Sequence, residues 1–211
     1  MIYCRVCNSK ELIKKYKNSG YIFYECRSCG YGYIDSSKND SNGYFTWGEN
    51  IVLESLKRKK MYLNRIGYIK KYASGKELLD VGAGGGGFLY YAQKNGFNVS
   101  GVEPSSSAVT FINKKYGLNV CSCTIKDIRN KSFDVITYFH VLEHIDDIKN
   151  EFQNIKEKLN DNGILLIEAP LYGTLSWKLM GTHHRHFYKG HRNYFTFKSM
   201  GILLENNGFE V

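Results

Sequence analysis

Residues 78 to 89, LLDVGAGGGGFL, place five glycines in the six positions 82 to 87, immediately after a short apolar run. Glycine reaches left-handed backbone conformations freely and lets the chain approach a ligand with no Cβ in the way. Such a loop therefore reads as the sharp turn of a strand–loop–helix unit. Gly82, Gly84 and Gly87 satisfy a G-x-G-x-x-G pattern, while Gly82, Gly84 and Gly86 satisfy G-x-G-x-G. Both patterns belong to nucleotide-binding loops, so the glycines alone leave the ligand open.

The segments around the loop alternate. ELLDV reads as a buried strand, GFLYYAQKNG as a helix closed by Gly96, NVSGVE as a strand, and SSSAVTFINKKYG as a helix capped by serines. NVCSC and FDVITYF follow as strands, then a helix over DDIKNEFQNIKEKLNDNG and a strand over ILLIEAP. This order implies an α/β fold, a Rossmann-like, doubly wound and mostly parallel sheet that binds ligands at the carboxyl ends of its strands. The glycine loop falls at such an end. Glu103 closes the second strand, 21 positions beyond Gly82, where a carboxylate accepts hydrogen bonds from ribose hydroxyls. A ribose is common to dinucleotides and to S-adenosylmethionine (SAM), so Glu103 does not choose between them. Asp80, two positions before Gly82, stands where dinucleotide oxidoreductases carry an apolar residue. A carboxylate there suits the ammonium group of methionine.

The first forty residues follow a different rule. Cys4 and Cys7 form one C-x-x-C and Cys26 and Cys29 a second, with 18 residues between the pairs. Two such knuckles joined by a hairpin supply the four-sulfur set that structural zinc prefers, with no open position for water. The intervening chain provides the hairpin, turning at Asn18-Ser19-Gly20 and returning through YIFYEC. Too short for its own core, the segment would draw most of its folding free energy from the metal. Residues 1–34 are thus expected to form a zinc ribbon and 35–50, rich in Ser, Asn, Asp and Gly, a linker. Residues 51–74 read as an amphipathic helix with Val52, Leu56, Leu63, Ile66 and Ile69 on its apolar stripe. No acid lies between Lys57 and Lys76. That helix reads either as an electrostatic surface for RNA phosphates or an anionic substrate, or as a solvated face covering the sheet.

Composition excludes some classes. With 43% hydrophobic and 23% charged residues the chain is not a disordered one. No apolar run reaches the roughly 20 residues that span a bilayer, and the N-terminus lacks the apolar core of a secretory signal. A cytoplasmic protein with reduced or metal-bound cysteines is expected. The net charge of +9 suits an anionic partner, or plain solubility.

As a set, these motifs resemble those of the class I SAM-dependent methyltransferases, over residues 76 to 211 in order. LLDVGAGGGGFL looks like their first motif and GVEPS like the ribose-binding second strand. FDVITYFHVLEHIDD is similar to the fourth-strand motif of the ubiquinone-type and sugar methyltransferases, and LNDNGILLIEAP to the turn and strand that follow. Pairing such a domain with a four-cysteine module is similar to sugar C-methyltransferases and occurs in some ribosomal RNA methyltransferases. The resemblance implies that Gly82, Ala83, Gly84 and Gly86 line the methionine part of SAM with Asp80 behind them, and that Glu103 and Pro104 sit at the ribose. Many members carry an acid after the third strand; here Thr124 takes that place, Asp127 follows three residues later, and backbone contacts near Thr124 and Ile125 would meet the adenine. Phe139 and His140 would lie beside the adenosine and the reacting methyl.

Methyl transfer needs a base only where the acceptor must lose a proton. His140 and His144, at i and i+4 in HVLEHI, are candidates, with His144 also readable as a helix-start residue paired with Glu143. Asp146 and Asp147 are the carboxylates a metal-dependent reaction would use. His191 lies in THHRHFYKGHRNYF, residues 182 to 195, and matches a histidine that in the family precedes an aromatic and a helix-capping Ser/Thr, here Thr196. That loop suits an anionic acceptor, or packs its histidines on the sheet. The fold carries further strands, and the chain ends at GFEV as the sixth would begin. The reading is a methyltransferase acting on a small-molecule or carbohydrate-type acceptor; an RNA methyltransferase docking through ribbon and helix, and a non-catalytic SAM-binding scaffold, remain open beside it.

Overall fold

The computed structural model describes residues 3–18, 21–35, 58–188 and 190–211. The expected linker and the first third of the basic helix lie outside these residues. Contacts divide the described chain into two units, one gathering residues from 1–43, 140–152 and 169–211, the other from 44–139 and 153–168. This differs from the division expected along the chain, because the segment after the fifth parallel strand packs with the cysteine-bearing N-terminus.

In the α/β unit the parallel sheet has five strands in the order β6-β5-β4-β7-β8. They are β4 (Glu77–Val81), β5 (Asn98–Val102), β6 (Val120–Cys121), β7 (Phe133–Phe139) and β8 (Leu159–Glu168). All pairings are parallel, β4 lying between β5 and β7. The order reverses at β4, so the loop after β4 sits at the switch point where doubly wound folds bind ligands. Alternating core positions explain the layers. Leu78, Val135, Phe88, Leu89, Ala92 and Ile112 join one buried cluster between the sheet and its helices.

Three helices precede, follow and flank β4 and β5. The first, α1 (Lys59–Tyr72), buries Tyr62, Arg65, Ile66 and Ile69. Leu63, expected on that stripe, is 37% exposed. The buried row runs 62, 65–66 and 69, and a residue one position on from Tyr62 points away from it. Helix α2 (Gly87–Lys94) starts from Gly86 and ends before Gly96, and α3 (Ser106–Tyr116) is capped by Ser105, whose hydroxyl accepts from the Ala108 N–H. The next helix, α4 (Ile148–Lys158), ends five residues before the expected Gly163. Strand β8 begins at once, pairing Leu159 with Phe133, and its register then jumps to Ile164 opposite Val135. Asn162, at φ 58°, turns the chain inside this bulge, a conformation asparagine tolerates.

The second unit is built on a four-stranded antiparallel sheet, β1-β2-β3-β9. Strands β1 (Leu12–Asn18) and β2 (Tyr21–Cys26) form the expected hairpin, with Asn18 opposite Tyr21. Strands β3 (Gly32–Asp35) and β9 (Asn193–Tyr194) extend it, Gly32 opposite Tyr194. Aromatic side chains fill its core: Phe23, Tyr172, Trp177 and Tyr194 pack edge to face, with Phe187 against them. Two more helices, α5 (Leu175–Met180) and α6 (Phe197–Asn206), complete the unit. Residues 209–211 lie in no strand.

Thr196 caps α6 as expected, its hydroxyl accepting from the Ser199 N–H at 3.1 Å, and also donates to the Cys29 carbonyl at 3.1 Å. Thr196→Val keeps the volume and removes both bonds. It is expected to lower stability by about 1–2 kcal/mol, read as an earlier midpoint in urea; an unchanged midpoint would show that this cap contributes nothing.

Candidate functional site

At the switch point three glycines adopt left-handed conformations that other residues avoid: Gly82 at φ 74°, Gly84 at 56° and Gly86 at 73°. A Cβ on Gly86 would come within 2.8 Å of Ile112 Cγ2. The loop is held down from β5, the Gly82 and Ala83 N–H groups donating to the Val102 carbonyl. Glu103, 5% exposed, accepts from the Gly84 N–H through one oxygen (2.9 Å) and from the Ser105 N–H through the other (3.0 Å). Burial pushes its carboxyl above the usual range. Each oxygen keeps a lone pair for a further donor, so this residue fits a ribose diol.

Asp80, on β4, is buried and accepts from the Thr137 hydroxyl at 2.7 Å. Burial raises its carboxyl to about 7, against the opposing influence of that hydrogen bond and of Arg65. A carboxylate so placed favours a cationic ligand group that restores its charge. The glycine cradle and the two buried acids therefore fit the SAM group that the sequence implies.

At the end of β6, Thr124 caps a 3-10 turn over Ile125–Asp127. Its N–H and hydroxyl both donate to Asp127, at 2.9 and 2.8 Å, and these bonds hold the Asp127 carboxyl below its usual range. The Asp127 side chain is thus committed to the turn, and the Thr124 N–H with it. Cys121 and Cys123 lie side by side at the end of β6, with Cα atoms 5.3 Å apart. The two-residue β6 ends at Cys121 and lets the chain double back there.

The catalytic candidates lie after β7. His140 is not on a helical turn with His144: it has φ 60°, and the 3-10 turn covers only Leu142–His144. The residue that gathers this region is Glu143, 2% exposed. His140 Nδ1 lies 3.5 Å and His191 Nε2 4.0 Å from its Oε1, and among the described residues nothing hydrogen-bonds its Oε2. His144 is not the Glu143 partner that the sequence suggested. Its Nδ1 lies 2.7 Å from the Gly190 carbonyl, which only accepts, so Nδ1 carries the proton and Nε2 is left as an acceptor. Burial lowers His191 to about 4, with His144 beside it acting in the same direction. It is therefore neutral at pH 7.

One ligand atom from each of Glu143, His144 and His191 lies within 4.8 Å of the others. Asp146 and Asp147 stand apart from this group, Asp146 accepting from Arg192 Nε at 3.1 Å and Asp147 from the Asn150 N–H at 3.1 Å. Of the other loop histidines, His184 stacks on Trp177 with centroids 4.0 Å apart, a packing role. Sequence reasoning gave Glu143 no chemistry of its own. Its only signal was an acid beside a histidine.

The four cysteines converge. Cys4 and Cys29 sulfurs are 3.6 Å apart, as are those of Cys7 and Cys26, and all four lie within 4.8 Å of one another. Tetrahedral zinc with bonds of about 2.3 Å requires sulfurs about 3.8 Å apart, so the set fits. The knuckles match bond for bond: Asn8 N–H donates to the Cys4 carbonyl and Gly30 N–H to that of Cys26, with Asn8 and Gly30 both at positive φ. Hydrogen bonding to Cys29 lowers the Cys4 thiol to about 5, and the same contact raises Cys29.

A doubly wound sheet with a glycine cradle and a buried acid after its second strand defines a nucleotide-binding α/β domain. Residues 55–211 match the family described as the methyltransferase domain, and the chain belongs to that family. Among relatives, the ubiquinone biosynthesis O-methyltransferase of Rickettsia canadensis (strain McKiel) is 32% identical over 99 residues, 44% of this chain and 42% of that protein. Phosphoethanolamine N-methyltransferase 1 of Triticum aestivum is 30% identical over 207 residues, 92% of this chain and 36% of that protein. The chain thus spans less than half the length of either. Two solved structures share the fold. The plantazolicin methyltransferase BpumL, in complex with SAH, is 17% identical with TM-score 0.60, covering 82% of this chain and 71% of that one. A SAM-dependent methyltransferase from Archaeoglobus fulgidus is 21% identical with TM-score 0.54, covering 72% and 69%. Among the described residues no helix is long and apolar enough to cross a membrane.

Proposed function

We propose that this protein is a cytoplasmic SAM-dependent methyltransferase that methylates a small-molecule or carbohydrate-type acceptor, with zinc held structurally by Cys4, Cys7, Cys26 and Cys29. The observation that carries the reading is the pair of buried acids framing the glycine cradle, Asp80 before it and Glu103 opposite it. In this reading Glu103 binds the ribose, and Asp80 orients the cationic amino-acid end. The backbone of Gly82, Ala83, Gly84 and Gly86 closes on the ligand, with Pro104, Thr124, Ile125 and Phe139 along the adenosine. The donor, when bound, supplies an electrophilic methyl on sulfur. Methylation of this kind is largely a matter of positioning and of excluding water.

Where the acceptor is a hydroxyl, the proton goes to the histidine pair. His144 presents an unprotonated Nε2 and His191 a ring kept neutral by burial, and Glu143 stabilises whichever ring takes the proton. His140, which follows Phe139 in the chain and contacts Glu143, adds a third acceptor. The small-molecule assignment is supported by the relatives named above, a ubiquinone biosynthesis O-methyltransferase and a phosphoethanolamine N-methyltransferase.

The test is transfer of labelled methyl from SAM to a fractionated cell extract, with total RNA as a separate arm. Label in a low-molecular-weight product is expected. Label in RNA alone would overturn the acceptor class, and SAM binding without transfer to any fraction would make the protein a scaffold. With a hydroxyl acceptor, Glu143→Gln is expected to lower kcat by about 10²–10⁴-fold at unchanged SAM affinity; an unchanged kcat would remove the cluster from the chemistry.

A further inference from the structure

Glu143 and His144 sit on a 3-10 turn of three residues, Leu142–His144. It is closed by the His144 N–H to the Val141 carbonyl at 2.9 Å and the Ile145 N–H to the Leu142 carbonyl at 3.3 Å. So short a turn does not fix its own position. The segment that follows His191 grips it instead. The Arg192 N–H donates to the Glu143 carbonyl at 2.7 Å. Asn193 donates through Nδ2 to two more carbonyls, Leu142 at 3.0 Å and Ile145 at 2.6 Å. Residues 191–193 therefore carry one member of the histidine–glutamate cluster and clamp the turn that carries the other two. A side-chain amide has two N–H donors, and both are spent here. The two carbonyls only accept, which decides the way the amide faces. Asn193 is 1% exposed, so a bond lost there is not replaced by bulk water. Tyr31 pins the amide from its other end. Its hydroxyl donates to Asn193 Oδ1, and its ring is fully buried against Tyr33 and Phe195. Tyr31 belongs to the second cysteine knuckle, its carbonyl accepting from the Cys26 N–H at 2.8 Å. The first knuckle reaches the same region, Arg5 donating to the Asp146 carbonyl at 3.2 Å.

We infer that Asn193 is a positioning residue for the proton-accepting cluster, that Tyr31 aligns it, and that the cysteine module thereby serves the reaction by fixing the turn that carries Glu143 and His144. The service to the reaction rests on the methyltransferase reading; the positioning rests on the hydrogen bonds alone. A turn that slips carries His144 away from the Gly190 carbonyl, the acceptor that keeps its proton on Nδ1. Without that partner both tautomers are populated, and part of the Nε2 lone pair is lost to protonation.

Two variants of the zinc-loaded full chain test this, with a third as control. Asn193→Asp keeps the oxygen that meets Tyr31 and turns the donor into an acceptor facing two carbonyls. Tyr31→Phe removes one hydroxyl and keeps the ring. Thr196→Val is the control, because the bonds it removes run to Cys29 and Ser199 and not to the turn. Imidazole nitrogen spectra are expected to show His144 protonated on Nδ1 in the parent and in Thr196→Val, and as a mixture of tautomers in the other two. Labelled methyl transfer from SAM into the low-molecular-weight extract fraction is expected to slow roughly tenfold in Asn193→Asp and about threefold in Tyr31→Phe, a part of what a positioned base contributes. SAM affinity and zinc content are expected to stay as in the parent. The double variant is expected to be no slower than Asn193→Asp, because the two residues act in series. An unmoved His144 tautomer in the folded variants would overturn the inference, and so would an equal change in Thr196→Val. Should Asn193→Asp not fold, Tyr31→Phe decides alone. A moved tautomer with no slowing would uphold the positioning and overturn its service to the reaction. Tautomers that move as expected in a protein that transfers no methyl would sink the methyltransferase reading and leave the positioning standing.

Discussion

Replacing Cys26 by serine is expected to remove zinc and unfold the whole antiparallel unit, not the N-terminal hairpin alone. Cys26 is fully buried at the end of β2, its sulfur 3.6 Å from that of Cys7. Structural zinc in small modules contributes an apparent 10–16 kcal/mol or so at neutral pH, as large as the roughly 5–15 kcal/mol net stability of an entire domain. The second cysteine knuckle is tied to distant chain by Thr196, which donates to the Cys29 carbonyl, and β3 next to it pairs with β9. Asn206 in α6 donates to the Val6 carbonyl in the first knuckle. Metal analysis should fall from one zinc per chain to none. Amide exchange protection should vanish from β1, β2, β3 and β9 while β4, β5 and β7 keep theirs. Native protection of β1–β3 in metal-free protein would refute a structural metal.

Replacing Asp80 by asparagine is expected to stabilise the ligand-free protein and weaken its hold on SAM. In the folded chain the Asp80 carboxyl is raised to about 7 from 3.8, mainly by burial. Between those two values the folded state holds a proton that the unfolded state has released, so this group makes stability fall as pH rises from about 4 to about 7, and level off above. The full loss is on the order of 4 kcal/mol. Asparagine retains an oxygen for the Thr137 hydroxyl and abolishes the titration. At pH 8 the variant should unfold at a higher temperature than the parent, and the difference should shrink toward pH 4. SAM affinity at pH 8 should fall at least tenfold. Equal midpoints across that range would show that the carboxylate carries no burial penalty, and equal SAM affinity would take Asp80 out of donor binding.

The parts of this protein legible in its sequence are those where the backbone itself makes a local demand. Gly82, Gly84 and Gly86 occupy left-handed conformations that glycine favours and most residues avoid, and the paired Cys-x-x-Cys turns end in Asn8 and Gly30, asparagine being the side chain that tolerates that region best. The α/β alternation follows from the period of buried residues, and the parallel sheet it implied is present. Strand ends and burial were less legible. Leu63 looked like core yet is partly exposed, while Arg65 is buried, because Glu168, 103 residues away, meets its guanidinium. Helix α4 stops at Lys158 because strand pairing with Phe133 begins at the next residue. A helical period cannot reveal that competition.

By itself, the sequence determined the glycine loop, the acid after the second strand, the four-cysteine knot and the order of elements, since each is encoded within a few residues. Only the tertiary structure decided that Glu143, His144 and His191 share one cluster and that β9 completes the sheet begun by the cysteine hairpin. It also decided that a cavity opens between α1 and the carboxyl ends of β7 and β8. Those outcomes depend on which residues far apart in the chain exclude water from one another, and no local pattern carries that information.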